Sequence, residues 1–132
     1  YLLFNDKTGE YKVSEYNLEE GLTYLGPLWV GELAEGKLLK KMVSINHFPE
    51  EKKFLDLLLE ESSINTIGFY DLHVIGKKNN IRPPKMEGVL QQLKGVHTHF
   101  SPTGIKTQES FTRLLQVMNN STGKRQEKNN GK

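Results

Sequence analysis

A chain of 132 residues with 36% hydrophobic and 26% charged side chains is expected to fold as one domain, or as two small subdomains sharing a core. It has no cysteine, which excludes disulfides, iron–sulfur clusters and thiolate zinc sites, and no apolar run approaches the ~18–20 residues of a membrane helix. The formal net charge of +2 conceals a division, because residues 1–61 hold 7 Lys/Arg against 12 Asp/Glu whereas residues 62–132 hold 11 against 4.

The chain opens on "YLLF", without Met, in a run that reads as strand from its first residue. The expectation is therefore the C-terminal piece of a longer polypeptide, with no secretory leader and a cytoplasmic address, or a nuclear one in a eukaryote. "NDKTGE" supplies turn formers between "YLLF" and "YKV", so Tyr1 to Val13 reads as a hairpin. Strand-like sequence returns from Leu22 to Leu33, broken at Gly26-Pro27, with Trp29 expected as the plug of a small core. A short helix follows in "ELAEGKLLKKMV".

From Pro49 the period becomes helical. Pro49 suits a first helical position, Glu50 and Glu51 complement the positive end of the helix dipole, and Phe54, Leu55, Leu58 and Leu59 form the buried stripe. A second helix is expected over about Gly68 to Lys77. A third begins at Pro83-Pro84, places Met86, Val89, Leu90 and Leu93 on one face, and ends at Gly95. Two short strands about a Ser101–Gly104 turn come next, with Val96, Thr98 and Phe100 sharing the inner face. A last helix spans Gln108 to Met118, with Thr107 as N-cap. The fold class is α+β: a small antiparallel β subdomain (1–48), a winged-helix-like helical subdomain with a two-stranded wing sharing its core (49–118), and a disordered basic tail (119–132).

Two chemistries are open for His97-x-His99. Two imidazoles on one strand face make half a zinc site, but a metal needs three or four ligands, and no Glu or Asp lies between Val96 and Lys106 to help. A catalytic histidine needs a nucleophile or an orienting carboxylate, and the local sequence offers neither. What remains is a pair of donors facing phosphate or base, or wing histidines satisfied locally. The "GELAEGKL" stretch has the spacing of a phosphate-binding loop, but Leu38 stands where that loop needs Ser or Thr for magnesium. No Gly-x-Gly-x-x-Gly follows a strand. Between Leu72 and Lys106, six basic residues face a single acid, Glu87, and such segregation builds a local positive field. With the apolar stripe of the third helix inward, Lys85, Gly88 and Gln92 face outward with Gln91 and Lys94 beside them. Lys77, Lys78 and Arg82 line the approach, and Lys106 sits on the ribbon. Lys77, Lys78, Arg82, Lys85, Gln92, Lys94, His97, His99 and Lys106 are the candidate RNA-binding residues.

"GPLWVGEL", "FYDLH", "PPKMEGVLQQLK" and "THFSPTGIKT", in this order and spacing, resemble the C-terminal domain of the tRNA guanine-N2 dimethyltransferases. The resemblance runs from about Tyr1 to Met118. It implies an S-adenosylmethionine-dependent parent enzyme whose donor site and Asp-Pro-Phe-Gly type motif lie in an upstream methyltransferase domain of the same polypeptide. It implies tRNA as partner, with His99, Lys106 and Lys85 facing it, and no catalytic, cofactor or metal residue in this fragment. His97 stands where the family has a basic residue, and Gln-Glu-Ser follows Thr107 where the family often has Asp-Ala-Pro. The rival expectations are a stand-alone winged-helix nucleic-acid-binding protein and an interaction domain that only packs on a catalytic neighbour.

Overall fold

The computed structural model describes the backbone of residues 1–129 and the side chains as far as Ser121. Among the described residues the order is β1 (Leu2–Phe4), β2 (Tyr11–Val13), β3 (Thr23–Leu25), α1 (Gly36–Ile45), α2 (Pro49–Glu61), β4 (Tyr70–Asp71), α3 (Leu72–Lys78), α4 (Met86–Leu93), β5 (Val96–Thr98), β6 (Ser101–Lys106) and α5 (Phe111–Asn129). The class is α+β, with two three-stranded antiparallel sheets ordered β2-β1-β3 and β4-β6-β5.

The first hairpin forms where the turn residues place it. Asn5 Oδ1 accepts from the Lys7 and Thr8 amides, and Gly9 takes a φ of 83° that a β-carbon would resist. Leu3 is buried on the inner face of β1, while all of β3 is exposed. The expected strand over Leu22 to Leu33 stops at Leu25, because Gly26 turns the chain at φ 132° and Pro27 has no amide to donate to a ladder. Trp29 is not a core plug. Its side chain is 73% exposed, and its indole Nε1 donates to the Glu32 carbonyl at 3.4 Å.

α1 packs on α2, which starts at Pro49 with Glu50 and Glu51 in its first turn, as read. Phe54, expected in the buried stripe, is 48% exposed; Leu55, Leu58 and Leu59 are half-buried. The second expected helix begins four residues late. Asp71 is its N-cap, accepting from the His73 and Val74 amides at 3.0 and 3.2 Å, and Tyr70–Asp71 are drawn into strand by pairing with Ile105 and Gly104. α4 starts at Met86 instead of at the prolines, because Pro84 keeps the residue before it extended and Lys85 occupies the N-cap.

The ribbon departs most from expectation. Ser101 to Lys106 is strand, and the reversal falls at His99-Phe100, with a register shift between His97 and Thr98. Phe100 therefore leaves the inner face it was expected to share with Val96 and Thr98, and is 55% exposed. The expected cap of the last helix also moves. Thr107 is buried and donates to the Leu93 carbonyl, whereas Ser110 Oγ accepts from the Arg113 amide at the start of α5. α5 runs through Asn129, across residues expected to be unstructured. The remainder of the expected tail, residues 130–132, lies outside the described residues. One core joins β4, α3, α4, β6 and α5, with Leu72, Ile75, Val89, Leu93, Ile105, Leu114, Val117 and Met118 at its centre and Tyr11 of β2 packed against it.

Candidate nucleic-acid interface

The sequence-predicted residues fall into two groups. Lys77, Lys78, Arg82, Lys85, Gln92 and Lys94 are all exposed, on α3, α4 and the connection between them. Lys77 and Lys78 occupy the last turn of α3, where cations are favoured by the helix dipole, and Lys78 Nζ also donates to the Asp6 carbonyl in the β1–β2 turn. Lys94 closes α4 in the left-handed conformation at φ 49°. A β-carbon on Gly88 would meet nothing within 4 Å, so α4 presents an open face there.

The ribbon residues are placed differently. His97 is half-buried opposite Ile105. Lys106, expected on the ribbon's outer surface, is 5% exposed. The reason is Glu61, at the C-terminal end of α2 and itself 5% exposed. Its Oε1 accepts from Thr98 Oγ1 at 2.7 Å and lies 3.0 Å from Lys106 Nζ. Its Oε2 accepts from the His99 amide at 2.9 Å and lies 2.6 Å from His99 Nδ1. One carboxylate thus holds both ends of the ribbon. Burial pushes the Glu61 carboxyl up, but the hydrogen bonds from His99, Thr98 and Lys106 win and hold it down to about 2.

The carboxylate partner that the local sequence lacked therefore comes from a helix 38 residues earlier. One signal pointed to it: an acid in the last turn of a helix stands at the wrong end of the dipole, which needs a compensating partner. Asp71 plays a parallel part. Its Oδ2 accepts from Ser101 Oγ at 2.9 Å and Thr103 Oγ1 at 2.8 Å, while Oδ1 caps α3. Burial raises the Asp71 carboxyl, and the Thr103 and Ser101 hydroxyls with the α3 amides outweigh it, so its pKa is lowered.

Rings line up across the turn. Phe54 meets His99 edge-on at 6.1 Å, His99 lies 4.0 Å from Phe100, and Phe100 stacks parallel to Phe69 at 5.7 Å with an interplanar angle of 5°. Beside them a cavity of about 450 Å³ opens between the 32–39 segment and α2, with Leu38, Leu39, Phe54 and Leu58 as apolar wall, Glu32, Glu35 and Glu61 as acids, and His99 and Lys106 at its edge. With Lys106 paired to Glu61, the carboxylates of Glu32 and Glu35 leave the cavity net acidic and unsuited to phosphate. Among the described residues no group of three or more His, Asp or Glu is placed to hold a metal, and no helix is long and apolar enough to cross a membrane.

Residues 4–119 match the family described as N2,N2-dimethylguanosine tRNA methyltransferase. The chain is 36% identical over 130 residues to the tRNA (guanine(26)-N(2))-dimethyltransferase of Pyrococcus furiosus, covering 89% of this chain and 34% of the relative. It is 31% identical over 99 residues to the tRNA (guanine(26)-N(2)/guanine(27)-N(2))-dimethyltransferase of Aquifex aeolicus, covering 70% and 25%. A solved structure of Trm1 from Pyrococcus horikoshii with S-adenosyl-L-methionine superposes with a TM-score of 0.78 at 30% identity, over 90% of this chain and 34% of that one. The chain spans about a third of the length of these relatives.

Proposed function

The chain belongs to the N2,N2-dimethylguanosine tRNA methyltransferase family, and on that footing we propose that it is the tRNA-holding part of a tRNA guanine-N2 methyltransferase. In this reading a methyltransferase domain elsewhere in the same polypeptide binds S-adenosylmethionine, and the present residues position the tRNA for transfer. The observation that carries it is the exposed basic run from Lys77 to Lys94, interrupted by the single acid Glu87. Such a run neutralises phosphates, fixes the register of a folded RNA, and leaves the chemistry to another domain. The order α2, β4, α3, α4, β5, β6, with β6 between β4 and β5, supports a winged-helix use of α4 and the ribbon.

The test is titration of the intact protein with a tRNA transcript at several salt concentrations. With Lys77, Lys78, Arg82, Lys85 and Lys94 engaged, log K should fall against log salt with a slope of about −3.5 for an irregular RNA. Changing Lys77, Lys78, Arg82 and Lys85 together to Glu should flatten that slope and weaken binding. Unchanged tRNA affinity in that variant would refute the reading and favour a domain that only packs on its neighbour. One observation favours that second role: Trp29, Leu33, Ile45 and Phe48 are each more than half exposed, a density of apolar surface that suits a protein contact.

A further inference from the structure

Phe100 is an apolar ring held in solvent by a scaffold that could have buried it. Its neighbours Thr98 and Gly104 are inside, and the alternation of the strand would have carried it inward. The turn is instead fixed from beneath. Glu61 holds the His99 amide and imidazole, and Thr98 Oγ1, itself bonded to Glu61, accepts from the Phe100 amide at 3.4 Å. Phe69 supports the ring in parallel at 5.7 Å, and Lys106 Nζ stands 5.7 Å from its centroid. The absence of a side chain at Gly104 makes room for Phe69, since a β-carbon there would lie 2.8 Å from the ring. A ring that is 55% exposed yet braced in this way is preorganised for a planar partner.

The charges decide which planar partner. No Asp or Glu occurs between Gly88 and Gln108. Two carboxylates reach the turn: Glu61 is paired with the Lys106 ammonium and bonded to Thr98 and His99, while Asp71 is hydrogen-bonded to Ser101, Thr103 and the α3 amides and keeps its negative charge. The Glu61 charge beneath the turn is thus balanced by Lys106, and the turn follows in sequence the exposed cations of α3 and α4, while Glu32 and Glu35 stand on the cavity beside His99. Aromatic rings in basic surroundings stack unpaired bases, with little dependence on which base.

We propose that Phe100, braced by Phe69 and flanked by His99, is a stacking shelf for an unpaired nucleobase of the bound RNA. The inference rests on the tRNA-holding reading and adds a contact that phosphate neutralisation does not supply. Its ligand is a base exposed in a loop or at a junction, not a base pair within a helix.

The test compares the intact wild-type protein with Phe100→Leu and Phe100→Tyr, using a tRNA transcript and a short single-stranded oligoribonucleotide carrying 2-aminopurine. Leu keeps the apolar bulk and removes the ring; Tyr keeps the ring. Phe100→Leu should lose about 5- to 100-fold in affinity with an unchanged salt slope, and should lose the stacking quench of 2-aminopurine. Phe100→Tyr should keep both within about twofold. Equal melting temperatures of the three proteins establish that folding is intact. Wild-type affinity in Phe100→Leu, or equal loss in Phe100→Tyr, overturns the shelf while leaving the tRNA-holding reading standing. A Phe100→Leu variant with normal RNA affinity but altered self-association or partner binding overturns it in favour of a protein contact. A wild-type protein that binds neither RNA takes down the underlying reading as well.

Discussion

Changing Glu61 to Gln keeps the volume of the side chain and removes one charge, which isolates what the carboxylate does. In the wild type, Lys106 and Glu61 side chains are each 6% exposed, so neither charge can be rescued by water. With Gln, the Lys106 ammonium is left buried against a neutral amide. At the same time, four donors (the Thr98 hydroxyl, the His99 amide and imidazole, and Lys106) compete for one oxygen while the new NH₂ group points at another donor. Removing one partner of a buried pair typically costs about 3–5 kcal/mol. A domain of this kind holds only ~5–15 kcal/mol in total, so the variant should lose about a fifth or more of its stability. The exposed pair Lys52–Asp56 sets the contrast: its side chains are 70% and 45% exposed, and its loss should cost about 0.3–0.5 kcal/mol.

Urea unfolding measures both, provided the slope with denaturant stays constant. The decisive comparison adds Lys106→Met. In the wild-type background it strands the Glu61 charge and should be costly. In the Glu61→Gln background it removes the stranded ammonium and should recover about 1–3 kcal/mol. A cost below about 1 kcal/mol for Glu61→Gln, or no recovery in the double variant, would show that the network is wet and that its burial does not govern the ribbon.

The same carboxylate predicts a pH dependence. Its folded pKa of about 2 lies below the ordinary 4.5, so the folded state gains stability that is fully present above about pH 5 and is lost as pH falls toward 2. That gain is about 3 kcal/mol, and urea curves of wild type and Glu61→Gln should converge across the window. Gly104→Ala should destabilise by about 1–3 kcal/mol in the same measurement, because the added carbon would lie 2.7 Å from Thr98 Cγ2 and 2.8 Å from the Phe69 ring. Asp71→Ala should cost about 1–2 kcal/mol for the α3 cap alone, and more from two stranded hydroxyls, with the excess vanishing when Ser101 and Thr103 are also changed to Ala. Melting temperatures of the single and combined variants check this.

What the sequence made legible was local. The hairpin at Tyr1 to Val13 and the helices begun by Pro49, closed near Gly95 and packed through Phe111, Leu114 and Met118 each carry their signal within a dozen residues. What stayed hidden depends on partners far along the chain. Asp71 reads as one more helical residue until Ser101 and Thr103 are known to bind its second oxygen. Glu61 carries no local signal of its role, because Thr98, His99 and Lys106 follow 37 or more residues later. Trp29 and Phe100 mislead in the opposite sense: apolar side chains are assigned inward by default, and only coordinates show which ones the fold leaves outside.

That distinction alters the charge argument itself. A count along the chain gives six cations from Leu72 to Lys106 and treats all six as available to phosphate. Lys106 is not: its charge is consumed internally by Glu61, with the net effect of fixing the ribbon instead of attracting a ligand. The number of phosphate contacts the basic run can supply thus drops to five, and the salt slope for an irregular RNA should not exceed about −3.5 unless residues outside the run contribute. In the tRNA-holding reading, the buried lysine contributes only indirectly. By balancing the Glu61 charge it lowers the repulsion that an incoming polyanion would meet at the His99-Phe100 surface, leaving Asp71 as the charged carboxylate at the turn.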